Sequence, residues 1–108
     1  RYIPQLIERG VRCFVLTEEQ YYTILHHTTL HYTTFLLVED TLAALQSLAA
    51  YKRSLYRGPV IGITGSNGKT VVKEWLYQLL KDDYRITRSP KSYNSQIGVP
   101  LSVWQLNE

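Results

Sequence analysis

The sequence has one cysteine, no methionine, two tryptophans, two phenylalanines and no long apolar run. Each shortage excludes something. A single thiol, Cys13, cannot close an intramolecular disulfide, so a disulfide-stapled secreted scaffold is ruled out. Its neighbours Val11, Phe14, Val15 and Leu16 predict a buried, inert side chain. Apolar runs such as Phe35-Leu36-Leu37-Val38 stop far short of the roughly 18 residues a membrane span takes. No basic segment followed by an apolar one opens the chain, which argues against a secretory leader. Position 1 is Arg1 rather than methionine, so an untouched gene product is not expected. Six glycines and four prolines in 108 residues are too few for collagen or a low-complexity linker. A free cysteine without a leader favours the cytoplasm.

What remains is ordinary globular chemistry, 44% hydrophobic and 19% charged, in a length that suits one small domain or a piece of something larger. The net charge of +3 permits an anionic partner. The lysines and arginines are scattered rather than clustered, so a nucleic-acid-binding module, the reading from another class, has little beyond charge and aromatics to support it.

The first half alternates helix and strand. Tyr2 to Arg9 has a helical spacing of Ile3, Leu6 and Ile7, with Gly10 as its stop. Val11 to Leu16 reads as a short strand. Thr17 is placed to cap a following helix, with Glu18 and Glu19 in its first turn. The Thr- and His-rich stretch from Thr23 to Thr34 has no assignable pattern. Phe35 to Val38 is a second strand. Leu42, Ala43, Leu45, Leu48, Ala49 and Leu55 then mark a helix that Arg57-Gly58-Pro59 breaks. We place a structural boundary there, between 57 and 58.

Past that boundary Val60 to Thr64 is a β-rich run, followed by a glycine-containing loop and an amphipathic helix from Lys69 to about Lys81. The helix's expected apolar face is Val72, Trp75, Leu76, Leu79 and Leu80. Tyr84 to Thr87 is a further candidate strand, and Gly98-Val99-Pro100 precedes a last helix, Leu101 to Leu106, with Pro100 at a permitted early position. Two β-α pairs in this order predict an α/β fold with a parallel sheet.

The chemistry concentrates in Gly65-Ser66-Asn67-Gly68-Lys69-Thr70, set between a strand and a helix. Glycines let a backbone turn several amides toward one anion, and the helix N-terminus adds unpaired N–H groups and a favourable dipole. A lysine at Lys69 brings a point charge to terminal phosphates, and a hydroxyl at Thr70 can ligate magnesium. The longer phosphate-loop pattern has a glycine where this chain has Ile63, so the match is to the shorter form. The alternative is an ordinary strand-to-helix turn. Val60 to Glu108 is less than half of the roughly 100–150 residues such a domain needs. Asp82 and Asp83 precede the second strand, at the wrong end for a metal, and Glu74 lies inside the helix. The sequence holds half a nucleotide site.

Ile63 to Thr70 resembles the ATP loop of the Mur ligases, the amide-forming enzymes of peptidoglycan synthesis. Tyr93-Asn94-Ser95-Gln96-Ile97-Gly98-Val99-Pro100 resembles a second stretch of that family, an asparagine followed by Ile-Gly-x-Pro. Lys73-Glu74 and the segment from Phe35 to Gln46 are similar to the branch that adds D-alanyl-D-alanine. Val72 to Leu80 is similar to forms fused to an alanine racemase. The resemblance implies an excised piece: residues 1–57 as the end of a UDP-substrate domain, then 58–108 as the first β-loop-α of a P-loop parallel-sheet ATPase domain. It implies ATP and magnesium as cofactors, and UDP-N-acetylmuramoyl-tripeptide and D-alanyl-D-alanine as substrates joined through an acyl phosphate. It makes Gly65, Ser66, Asn67 and Gly68 backbone donors to ATP, Lys69 the catalytic charge, Thr70 a magnesium ligand and Asn94 part of the cleft. Another Mur ligase or a folylpolyglutamate synthase-like ligase is the alternative within the superfamily. No nucleic-acid partner and no membrane span are expected. A cut sheet implies self-association, and the missing groups imply that the 108-residue chain alone is inactive.

Other residues have plainer readings. His26, His27 and His31 lack a further ligand for zinc and read as solvated. Tyr21, Tyr22, Tyr51, Tyr56, Tyr77 and Tyr84 sit among apolar neighbours and read as packing. Arg85, Arg88 and Lys91 read as a solvated basic loop, with contact to an anion as the second reading. Ser66 has no histidine beside it in sequence to activate it as a nucleophile.

Overall fold

A computed structural model describes residues 2–25, 32–91 and 93–106. The chain divides into two compact units, 1–44 and 45–108.

In the first unit, α1 (Ile3–Glu8) starts with a proline in its first turn, where the missing N–H costs nothing. It ends before Gly10, whose φ of 92° is open to glycine and unfavourable to other residues. β1 (Cys13–Leu16) and β2 (Thr34–Leu37) pair in parallel, Phe14 opposite Phe35. Between them α2 (Glu18–Ile24) is capped by Thr17, whose hydroxyl accepts from Gln20 N at 3.3 Å. The Gln20 side chain in turn accepts from Thr17 N at 3.1 Å, a reciprocal cap. Ile7, Phe14, Leu16 and Ile24 form the core, with Tyr21 meeting the edge of Phe35 at 5.4 Å between ring centres. The expected helix-strand-helix-strand order therefore stands.

Cys13 is a correction: it is exposed. Side chains alternate across a strand, and with Phe14 and Leu16 on the core side Cys13 falls on the other. Tyr22, Tyr51 and Tyr84 are also exposed rather than packed. The three histidines lie outside the described residues.

The chain continues into α3 (Thr41–Leu55), whose first turn is capped by Asp40; its carboxylate accepts from Leu42 N at 2.8 Å and Ala43 N at 3.1 Å. Leu48 and Leu55, expected on its covered stripe, are exposed, and Ala49 is the one buried position.

The second unit further contains α4 (Lys69–Leu80) and α5 (Gly98–Trp104). α5 begins three residues earlier than the sequence suggested, because the Ser95 hydroxyl accepts from Gly98 N at 2.9 Å and starts the helix there. The larger correction concerns the sheet. Among the described residues, Val60 to Thr64 and Tyr84 to Thr87 form no strand; the only sheet is β1–β2. A β-prone run becomes a strand only where a neighbour takes its backbone groups, and both runs instead line an open cleft. The same lack of cover leaves Val72, Trp75 and Leu79 of α4 exposed, while Leu76 and Leu80 are half-buried. The fold is thus mixed: helices with one small parallel sheet.

Candidate functional site

The Gly65–Thr70 loop shows why its residue types are needed. Gly65 has φ 144° and Gly68 φ 79°, both in the region that side chains disfavour. Gly68 is the residue at which α4 begins, and no neighbouring atom lies within 4 Å of where a Cβ would stand. The first helical bond, Val72 N to Gly68 O at 3.0 Å, leaves the N–H groups of Lys69, Thr70 and Val71 ahead of the hydrogen-bonded ladder. Those groups stand together at the positive end of the dipole of a 12-residue helix. The Lys69 ammonium folds back over the loop and donates to the Gly65 carbonyl. Ser66, Asn67 and Thr70 are exposed.

Lys69 and Thr70 line a cleft of about 1190 Å³, and so does Asn94, 24 positions beyond Thr70. The lining takes in Thr64 but not the four loop residues Gly65 to Gly68. Apolar side chains, among them Leu76, Ile86 and Val103, make up much of the rest. Asn94 reaches this wall through the segment before α5. Gly98, at the start of α5, is buried, and a Cβ there would stand 3.0 Å from the Tyr93 backbone. Gly98→Ala should therefore push Tyr93, and Asn94 with it, and cost about 1–3 kcal/mol. Thermal unfolding of the variant against the parent chain checks this; an unchanged midpoint would show that α5 can step aside.

Sequence reasoning missed a polar cluster that lines the same cleft. Lys73, one turn along α4 from Lys69, donates to the carbonyls of Ser89, at 2.8 Å, and Lys91. Its side chain is only 14% exposed, and its ammonium lies 3.5 Å from Glu74. Burial, and then the Arg88 guanidinium, hold Lys73 below the ordinary lysine range. Glu74 pairs with Arg88, which also lies 3.8 Å over the Tyr77 ring. Arg88 is thus engaged within the protein, in place of the solvated loop residue expected. The sequence signal for this pair was a carboxylate on the helix and an arginine after the candidate strand, of opposite charge.

The loop's donor set and positive-φ glycines fit a phosphate chain. For magnesium the chain offers the Thr70 hydroxyl; among the described residues no three His, Cys, Asp or Glu side chains come together to hold a metal. Magnesium keeps several waters and takes phosphate oxygens, so one protein oxygen fits a shared site rather than a closed one. No helix of the described residues is long and apolar enough to cross a membrane.

Residues 63–108 match the Mur ligase middle domain. The chain is 46% identical over 74 residues to the UDP-N-acetylmuramoyl-tripeptide–D-alanyl-D-alanine ligase of Bacillus subtilis, covering 68% of this chain and 16% of that protein. It is 37% identical over 106 residues to the ligase of the same name from Borreliella burgdorferi, covering 94% of this chain and 22% of that one. Against the Haemophilus influenzae ligase of that name it is 30% identical over 112 residues, covering 100% and 23%. The chain therefore spans less than a quarter of the length of these relatives. No solved structure matches it.

Proposed function

For a chain that belongs to the Mur ligase family, we propose that the Gly65–Thr70 loop holds the triphosphate of ATP in a ligase that adds D-alanyl-D-alanine to UDP-N-acetylmuramoyl-tripeptide. The observation that carries this reading is that Asn94 lines the same cleft as Lys69 and Thr70, which lie more than 20 residues before it. The names of the relatives supply the substrates.

The residues divide the work by their chemistry. Backbone N–H groups at the start of α4 bind phosphate oxygens without needing a charge. Lys69, which donates to Gly65, would turn to the terminal phosphates, and the Thr70 hydroxyl would hold magnesium, which would neutralise phosphate charge when bound. Asn94 offers an amide donor and acceptor from the opposite segment to a phosphate or the substrate. The γ-phosphoryl group passes to the tripeptide carboxylate, giving ADP and an acyl phosphate. The dipeptide amine then attacks the acyl carbon, phosphate leaves with the electron pair of the C–O bond, and the proton lost by the amine passes to the departing phosphate or water. The P-loop ATPase character of the second unit is part of this proposal. Both nucleotide-linked substrates support action in the cytoplasm.

A thermal-shift experiment on the intact protein tests it. A ligand at 100 times its Kd adds about 2.7 kcal/mol of stability. UDP-N-acetylmuramoyl-tripeptide with ATP should raise the midpoint clearly, whereas folate should leave it in place. The reverse result would move the protein to a folylpolyglutamate synthase-like activity.

A further inference from the structure

Lys73 lines the same cleft as Lys69, Thr70 and Asn94, yet its ammonium is already held by two main-chain carbonyls. It lies four residues after Lys69, so both project from one face of α4. Lys69 folds toward the loop, whereas Lys73 reaches across to Ser89 and Lys91, 16 and 18 residues away. The two carbonyls flank Pro90, which has no N–H to give the turn. Lys91 has a φ of 48°, a left-handed conformation that a lysine disfavours and glycine accepts freely. Something must hold it there. An ammonium can do so, because its three rotatable donors sit on a flexible stem and can serve two carbonyls at once. With the side chain only 14% exposed, solvent offers little substitute for those bonds. Directly after this turn, Tyr93 N donates to Pro90 O at 3.2 Å, and Asn94 follows.

The geometry points to Lys73 as a positioning residue that clamps the Ser89–Lys91 turn to α4 and so delivers Asn94 to the cleft shared with Lys69 and Thr70. This makes the helix that carries the phosphate loop also the anchor of the segment facing it. The functional consequence rests on the nucleotide reading above; the clamp itself does not.

Hydrogen exchange and calorimetry on the intact protein test the two parts separately. Lys73→Met keeps the length of the side chain and removes its donors. Without nucleotide, it should speed exchange of the amides of Lys91, Tyr93 and Asn94 about tenfold and leave those of 66–70 unchanged. With ATP and magnesium, it should weaken binding about tenfold, and that loss should vanish in an Asn94→Ala background, because Lys73 acts through Asn94. An equal loss in both backgrounds would mean that Lys73 meets the phosphates itself and would overturn the positioning role. Unchanged exchange at Lys91, Tyr93 and Asn94 would overturn the clamp. Lys91→Gly removes the cost of the positive φ and keeps the carbonyl that Lys73 holds, so in that stabilised background Lys73→Met should still speed exchange about tenfold. That pair also serves if Lys73→Met alone does not fold, and no effect there would equally count against the clamp. If the parent protein shows no ATP binding, the nucleotide reading fails while the exchange result still decides the clamp.

Discussion

Replacing Lys69 by alanine in the intact protein is expected to lower ligase turnover about 100- to 1000-fold, the usual cost of losing one preorganised electrostatic contributor. Phosphoryl transfer asks little covalent chemistry of a protein and depends on positioning and charge. In this chain the positioning donors are backbone N–H groups at the start of α4, which the substitution leaves in place. Gly65 and Gly68, whose positive φ values shape the loop, are untouched as well. Nucleotide affinity should accordingly fall much less than turnover. Stability should barely change, since the side chain donates to the exposed Gly65 carbonyl alone among its described hydrogen bonds. Lys69→Arg should rescue poorly, because a planar guanidinium fork cannot occupy the place of a compact ammonium in a tight loop. Phosphate release at saturating ATP, with unfolding midpoints measured in parallel, gives the comparison. Turnover within fivefold of the parent protein would remove Lys69 from the proposed catalytic role.

The parts of this molecule that were legible in the sequence are those fixed by local chemistry. Thr17 caps α2 where its place before Glu18 and Glu19 predicted a cap, and Gly10, Gly65 and Gly68 mark places where the backbone turns left-handed. The α4 boundaries follow from the loop at one end and loss of apolar spacing at the other. Long-range partners were harder to see. The acceptors of Lys73 are main-chain carbonyls, which every residue has, so no side-chain pattern announces them. Arg88 had a readable partner in Glu74, but that pairing becomes specific only when the segment after α4 folds back along the helix. The expected strands at 60–64 and 84–87 failed for a related reason. Composition sets the tendency to extend, whereas a ladder needs a second backbone alongside, and among the described residues neither run has one.

The 108-residue chain by itself should bind ATP weakly and show no measurable ligase turnover. Binding survives because its donors belong to one loop and the helix that follows, and these need only local folding. Turnover needs more. Thr70 supplies a single oxygen for magnesium, and the nearest helical carboxylate, Glu74, is paired with Arg88 and close to Lys73. No metal-holding group of three acidic, histidine or cysteine side chains forms among the described residues. A metal lacking carboxylate support is poorly fixed against the phosphates, and that loss alone is worth about 100- to 1000-fold. The incoming dipeptide and the UDP-sugar need their own surfaces, and the chain covers 16% to 23% of the length of the named relatives. Several such losses compound, though not additively, to rates below detection. Calorimetry with ATP should therefore give a binding isotherm, reduced by Lys69→Ala. Phosphate release with ATP, magnesium, UDP-N-acetylmuramoyl-tripeptide and D-alanyl-D-alanine should match the rate in buffer. Release that depends on both substrates and disappears in Lys69→Ala would show that these residues already contain a working site.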